Sequence, residues 1–113
     1  MHKNYHEITQ EISAQLAKFR TELPDVMSGF SSLASASTKE GVLSKKTKEL
    51  IAIALAVAAR CDGCIGFHAQ ALVKLGVTRM ELMESLAMAV YMGGGPSLMY
   101  AAEAMSAFDE FSV

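Results

Sequence analysis

No run of this sequence is apolar for long enough to cross a bilayer: the longest, Leu50 to Ala59, covers about half of the roughly 20 residues a spanning helix needs. The opening residues, Met1-His2-Lys3-Asn4-Tyr5-His6-Glu7, have no apolar h-region behind them, so no secretory signal is expected. No basic stripe with interleaved aromatics occurs, and the net charge is -2 with 19% charged residues, which argues against nucleic acid as a partner. Proline and glycine are too scattered to form a linker, so one compact domain over residues 1–113 is expected. We find no internal repeat and no convincing pair of strands. These absences together predict a cytoplasmic chain with no membrane contact.

Cysteine is also scarce. There are two, and in a reducing compartment two cysteines point to redox or metal chemistry rather than to a structural staple. A zinc site needs four ligands, and there is no second cysteine or histidine pair; His2 and His6 would have to fold back onto the first.

Apolar residues, by contrast, are plentiful: 51% of the chain, with eight methionines. A small domain has little interior for so much apolar surface, so part of it is expected between subunits.

The pattern is helical almost throughout. Ile8, Ile12, Leu16 and Phe19 recur at helical spacing within His6 to Phe19. Pro24 ends or restarts that element. Asp25 to Ala36 reads as a second, weaker helix carrying Val26, Phe30 and Leu33, and Ser35 to Gly41 reads as a loop. Ser44 caps a third helix running to about Arg60; being apolar nearly all round, it should be central and buried. A fourth starts near Cys61 to Cys64 and ends before Gly76, a helix-terminating glycine. Thr78-Arg79-Met80-Glu81 is a capping box opening a fifth through Tyr91, broken by Gly93-Gly94-Gly95. Pro96 fits the first turn of a sixth, which carries Leu98, Met99, Ala102, Met105 and Phe108. The fold class is all-α, a single compact domain of about six helices.

The chemistry concentrates at Cys61-Asp62-Gly63-Cys64. At a helix start both sulfurs lie on one side of the first turn, close enough for a disulfide. The free N–H groups and the dipole there favour a thiolate, the species that attacks a peroxide or a disulfide. His68, four residues after Cys64, shares its face and can relay a proton near neutral pH. Asp62 and the neighbouring glycines place the pair on an exposed turn. The alternative is two buried thiols and a satisfied histidine. A thioredoxin fold is disfavoured because the βαβ pattern is missing. Glu49 borders an otherwise apolar run, either facing solvent or held there for a purpose.

Glu49, eleven residues, then Cys61-x-x-Cys64-x-x-x-His68 resembles the alkyl hydroperoxidase D family, within the carboxymuconolactone decarboxylase superfamily. Gly76-Val77-Thr78-x-x-Glu81 and Gly93-Gly94-Gly95-Pro96 add to a likeness spanning about Glu40 to Phe108. The resemblance implies an all-α fold, Cys64 as the peroxidatic thiol, Cys61 as a resolving thiol nearer the surface, and His68 with Glu49 as a proton relay. It implies a homohexamer, alternatively a homotrimer. The implied activity is that of a thiol peroxidase or disulfide reductase acting on hydroperoxides, recharged by a dithiol such as a lipoyl domain or a thioredoxin-like protein. No organic or metal cofactor is required. Gly63 departs from the family's best-known members, which carry a second histidine there, so that position cannot transfer protons. The rivals are a lactone decarboxylase, which has no need of two vicinal thiols, and a non-enzymatic helical assembly subunit.

Overall fold

The computed structural model describes residues 3–113, so His2 and the start of the expected domain lie outside it. Six helices and no strand are found among the described residues: α1 Tyr5–Glu22, α2 Pro24–Thr38, α3 Lys45–Ala58, α4 Asp62–Lys74, α5 Arg79–Gly93 and α6 Gly95–Phe111. The all-α expectation holds. The helix starts are set by side chains that accept the first free N–H groups: Asn4 for α1, Ser44 for α3 and Thr78 for α5, the last a complete capping box with Glu81.

Two helices end in the same way. At α4, Gly76 (φ 73°) donates to the Val73 carbonyl and Val77 to that of Leu72; at α3, Arg60 donates to Val57 and Cys61 to Ala56. Both are Schellman motifs, which put the residue after the cap in the left-handed region. Glycine suits it at 76, whereas at 60 an arginine is held at φ 56°. This ending delivers Cys61 directly to the start of α4.

α3 and α6 pack on each other and each on both α4 and α5, α1 lies across α4, and α2 touches only α1 and α3. The core is built from Ile53 and Val57 of α3, Ile65, Ala69 and Leu72 of α4, Leu82 and Leu86 of α5, and Ala101, Ala104 and Ala107 of α6. The alanines let α6 approach its neighbours closely.

Several sequence expectations need correction. The helix assigned to Asp25–Ala36 continues to Thr38, whose hydroxyl donates back to the Ala34 carbonyl, so the loop is shorter than its composition suggested. α3 is central but only half buried: Ile51 and Leu55 are exposed. α6 buries Ala101, Ala104, Ala107 and Phe108 while Leu98, Met99 and Ala102 stay exposed, and no residue of α2 is buried, with Val26, Phe30 and Leu33 each about 60% exposed. Apolar periodicity marks a face that wants cover; it does not say whether the same chain supplies it.

Candidate active site

α4 begins where the cysteines are. Cys61 is its N-cap, its sulfur accepting from the Cys64 backbone N–H at 3.2 Å, and the two cysteines are disulfide-bonded with Cα atoms 5.2 Å apart. The pair therefore sits at the positive end of a 13-residue helix, where backbone dipoles stabilise a sulfur anion once the bond is reduced.

One turn on, the His68 ring meets a carboxylate from the neighbouring helix: Nδ1 and Glu49 Oε2 are 2.6 Å apart. The Glu49 side chain is 7% exposed, that of His68 33%. Of the two readings left open for Glu49, the solvent-facing one is excluded. A carboxylate buried at the end of a helix start, and joined to an imidazole, orients the ring and fixes its tautomer: with Nδ1–H donating to Glu49, Nε2 carries the lone pair. That leaves the lone pair on the side of the ring away from Glu49, and by helical spacing His68 shares a face of α4 with Cys64.

The two thiol positions differ, in the opposite order to that implied by the resemblance. In the single chain Cys64 is exposed and Cys61 is half-buried. The reason is local. Cys61 follows directly on the Schellman turn of α3 and is packed into the α3–α4 corner, while Cys64 lies on the outer side of the first helical turn.

The expected exposed turn holds for Cys64 and only in part for Cys61, and Asp62 and the glycines are not there to expose it. Asp62 is half-buried and its Oδ1 accepts from Lys3 Nζ at 3.0 Å and from the Tyr5 hydroxyl at 3.2 Å. Gly63 and Gly66 serve close approach of α1: a Cβ at 63 would lie 2.6 Å from Ile12 Cδ1, and one at 66 would lie 2.7 Å from Thr9 Cγ2. Where a second histidine would stand, α1 has placed an aliphatic side chain. Lys3, Tyr5 and Ile12 carried no signal in the sequence, because each reaches α4 from more than fifty residues away.

No three of the His, Cys, Asp and Glu side chains among the described residues cluster as a metal site would need. His6 instead stacks near Phe111, ring centroids 4.4 Å apart. The apolar clefts, one of 370 Å³ between α5 and α6 lined by Met83, Leu86, Val90 and Met105, and another of 370 Å³ beside Arg60 and Met92, are not lined by either cysteine or by His68.

Comparison with known proteins agrees with this architecture. A crystal structure of a carboxymuconolactone decarboxylase family protein from Legionella pneumophila superposes with a TM-score of 0.96 at 70% identity, covering 96% of this chain and 97% of that one. A Thermotoga maritima protein of the same family, described as a candidate for the antioxidative response, gives 0.80 at 28% identity over 90% of this chain and 87% of that one. An uncharacterized protein of Cupriavidus necator is 42% identical over 99 residues, 88% of each chain. One from the cox locus of Paracoccus denitrificans is 31% identical over 98 residues, 87% of this chain and 88% of its own. The model of the carboxymuconolactone decarboxylase family matches residues 24–107. The chain thus belongs to the carboxymuconolactone decarboxylase family.

Proposed function

We propose that this protein is a thiol-dependent oxidoreductase that reduces hydroperoxides. The observation that carries this reading is the Cys61–Cys64 disulfide at the start of α4 on the same helix as His68, whose ring is held by the buried Glu49. In the reduced state Cys64 loses its proton to His68 Nε2. The thiolate attacks the terminal oxygen of the hydroperoxide; the O–O bond breaks, the sulfur becomes a sulfenic acid, and the departing alkoxide takes the proton from His68 as an alcohol. Cys61 attacks that sulfur, water leaves, and the disulfide forms. Two electrons have passed from the thiols to the peroxide, and a dithiol donor, a lipoyl domain or a thioredoxin-like protein, returns them by exchange. Cys64, being exposed, can be reached by either substrate. No organic or metal cofactor enters these steps.

A second reading, reduction of another disulfide, is favoured by Ile12. With an aliphatic side chain against Gly63 the site has one imidazole, which suffices for thiol exchange but leaves the peroxide step a single proton carrier.

The same reading places the protein in the reducing cytoplasm as a homohexamer, alternatively a homotrimer. What supports assembly is the uncovered apolar surface: Phe30 and Leu33 of α2, Met88 and Met92 of α5, Leu98 and Met99 of α6. No helix among the described residues is long and apolar enough to cross a membrane.

Titrating thiols before and after one equivalent of an organic hydroperoxide tests the function. Rapid loss of two thiols per chain, reversed by a dithiol, is the expected result. Thiols lost only to disulfides would favour the second reading, and thiols inert to both would end the proposal.

A further inference from the structure

The residue between the cysteines is not free. Asp62 faces Glu103 of α6, and the two carboxylates share the same two donors: Lys3 Nζ lies 3.0 Å from Asp62 Oδ1 and 2.6 Å from Glu103 Oε2, and the Tyr5 hydroxyl lies 3.2 Å and 3.3 Å from the same oxygens. Lys3 also stands 5.1 Å from the centroid of the Tyr100 ring. This is a built cluster rather than a chance surface pair. Tyr5 is fully buried, the Asn4 cap starts α1 directly behind Lys3, and the His6 backbone N–H donates to Glu110 at the far end of α6. The side chains of Lys3 and Asp62 are about one-third exposed and that of Glu103 is 19% exposed, so the charges interact in a medium less polar than bulk water. The Glu103 hydrogen bond, with that of Asp62, holds the Lys3 ammonium above the ordinary lysine range, and burial, then the two carboxylates, push the Tyr5 phenol up. Both donors therefore keep their protons at neutral pH.

We propose that Lys3 is a positioning residue for the redox site: it pairs with Asp62 and holds that carboxylate on the α1–α6 side, so that thiolates at Cys61 and Cys64 form beside a tethered, partly compensated charge rather than a free one. An unpaired carboxylate between two thiols opposes their ionisation; one held by a cation opposes it less. The other charged groups about the thiols are Arg60 at the end of α3, Glu49 of α3 with His68 of α4, and Glu103 of α6. Only Lys3 and Tyr5 contact Asp62 itself through side-chain hydrogen bonds among the described residues.

The inference rests on the reading of the cysteines as the reacting pair, but its test does not use peroxide. The fully reduced protein is alkylated with iodoacetamide across pH, which reports thiolate formation whatever the natural oxidant. Lys3→Met is expected to move the midpoint upward and slow alkylation at pH 7 by about three- to tenfold, the size of one partly screened charge near the site. Lys3→Arg is expected to restore the wild-type profile. Asp62→Asn alone is expected to lower the midpoint by less than Lys3→Met raises it, since its charge is tethered and partly compensated, and to shrink the effect of Lys3→Met in the double variant. A merely structural Lys3 would lower the melting temperature without that dependence on Asp62. The proposal is overturned if Lys3→Met slows alkylation equally in the Asp62→Asn background. It also fails if Asp62→Asn by itself lowers the midpoint by a full unit, an outcome readable even if Lys3→Met does not fold. If peroxide is not consumed yet the Lys3 dependence holds, the peroxidase reading falls and this one stands; peroxide reduction with a Lys3-independent profile gives the reverse.

Discussion

Glu49 Oε2 and His68 Nδ1 meet at 2.6 Å across the α3–α4 contact, joining a buried carboxylate to a ring that is one-third exposed. The pair fixes which nitrogen of His68 is left for chemistry, and it makes the two partners unequal when either is lost.

Glu49→Gln keeps a hydrogen-bonding group in place but ends the carboxylate's hold on the Nδ1–H tautomer and on the imidazolium. We expect thiol oxidation by hydroperoxide to slow by roughly two to four powers of ten, the range for a displaced general base. His68→Ala should slow it as much and also destabilise the fold, by about 1–3 kcal/mol, because Glu49 is left buried without its partner. Stopped-flow rates and thermal melts of both variants check this; equal melting temperatures for the two would contradict the asymmetry.

The two cysteines should trap differently. Cys61→Ser is expected to react once with hydroperoxide and stop as a sulfenic acid on Cys64, captured by dimedone and located by peptide mass. Cys64→Ser should form none at an appreciable rate. The motivation is that Cys64 is exposed and one turn from His68, whereas Cys61 is half-buried. Label on Cys61 alone would reverse the roles.

Arg60 occupies a left-handed position that Gly76 fills at the end of α4. Arg60→Gly is expected to raise stability by about 1 kcal/mol, the cost of a side chain in that region. Denaturant melts of Arg60→Gly and Arg60→Ala should separate, with only the first stabilised; identical midpoints would show that the turn is not strained.

Acid should weaken the helix-end ion pairs first. The Lys46 ammonium, then the Thr78 backbone N–H, hold the Glu81 carboxyl below its usual range, and Arg79 holds that of Asp109 below its own. A depressed carboxyl pKa adds stability that is present above its unfolded value and disappears as pH falls through the folded one. The melting temperature is therefore expected to drop below about pH 4.5, with a shallower slope in Glu81→Gln. An unchanged slope would remove Glu81 from the account.

Phe30 and Leu33 are exposed on a helix that buries nothing in its own chain. If α2 is covered by another copy, Phe30→Asp should reduce the mass seen by light scattering toward the 12.1 kDa of one chain while leaving helical content unchanged. A wild-type protein already of that mass at micromolar concentration would rule out the oligomer.

The helices, their caps and the spacing that puts Cys61, Cys64 and His68 on the start and first turns of α4 are legible in the order of residues, because these depend on interactions within about four residues. The place of Glu49 in α3 is equally legible. That Glu49 is buried and bonded to His68 comes from the α3–α4 packing, which no local pattern encodes. The same holds for Gly63, whose significance comes from Ile12 of α1, and for Asp62, which looked like a turn residue until Lys3, Tyr5 and Glu103 were brought to it from both ends of the chain. Apolar periodicity also overstated the core: Phe30, Leu55 and Leu98 follow the helical repeat as well as Ile53 and Leu72 do, yet face outward. A repeat specifies that a face is apolar, and which partner covers it depends on how helices far apart in sequence pack.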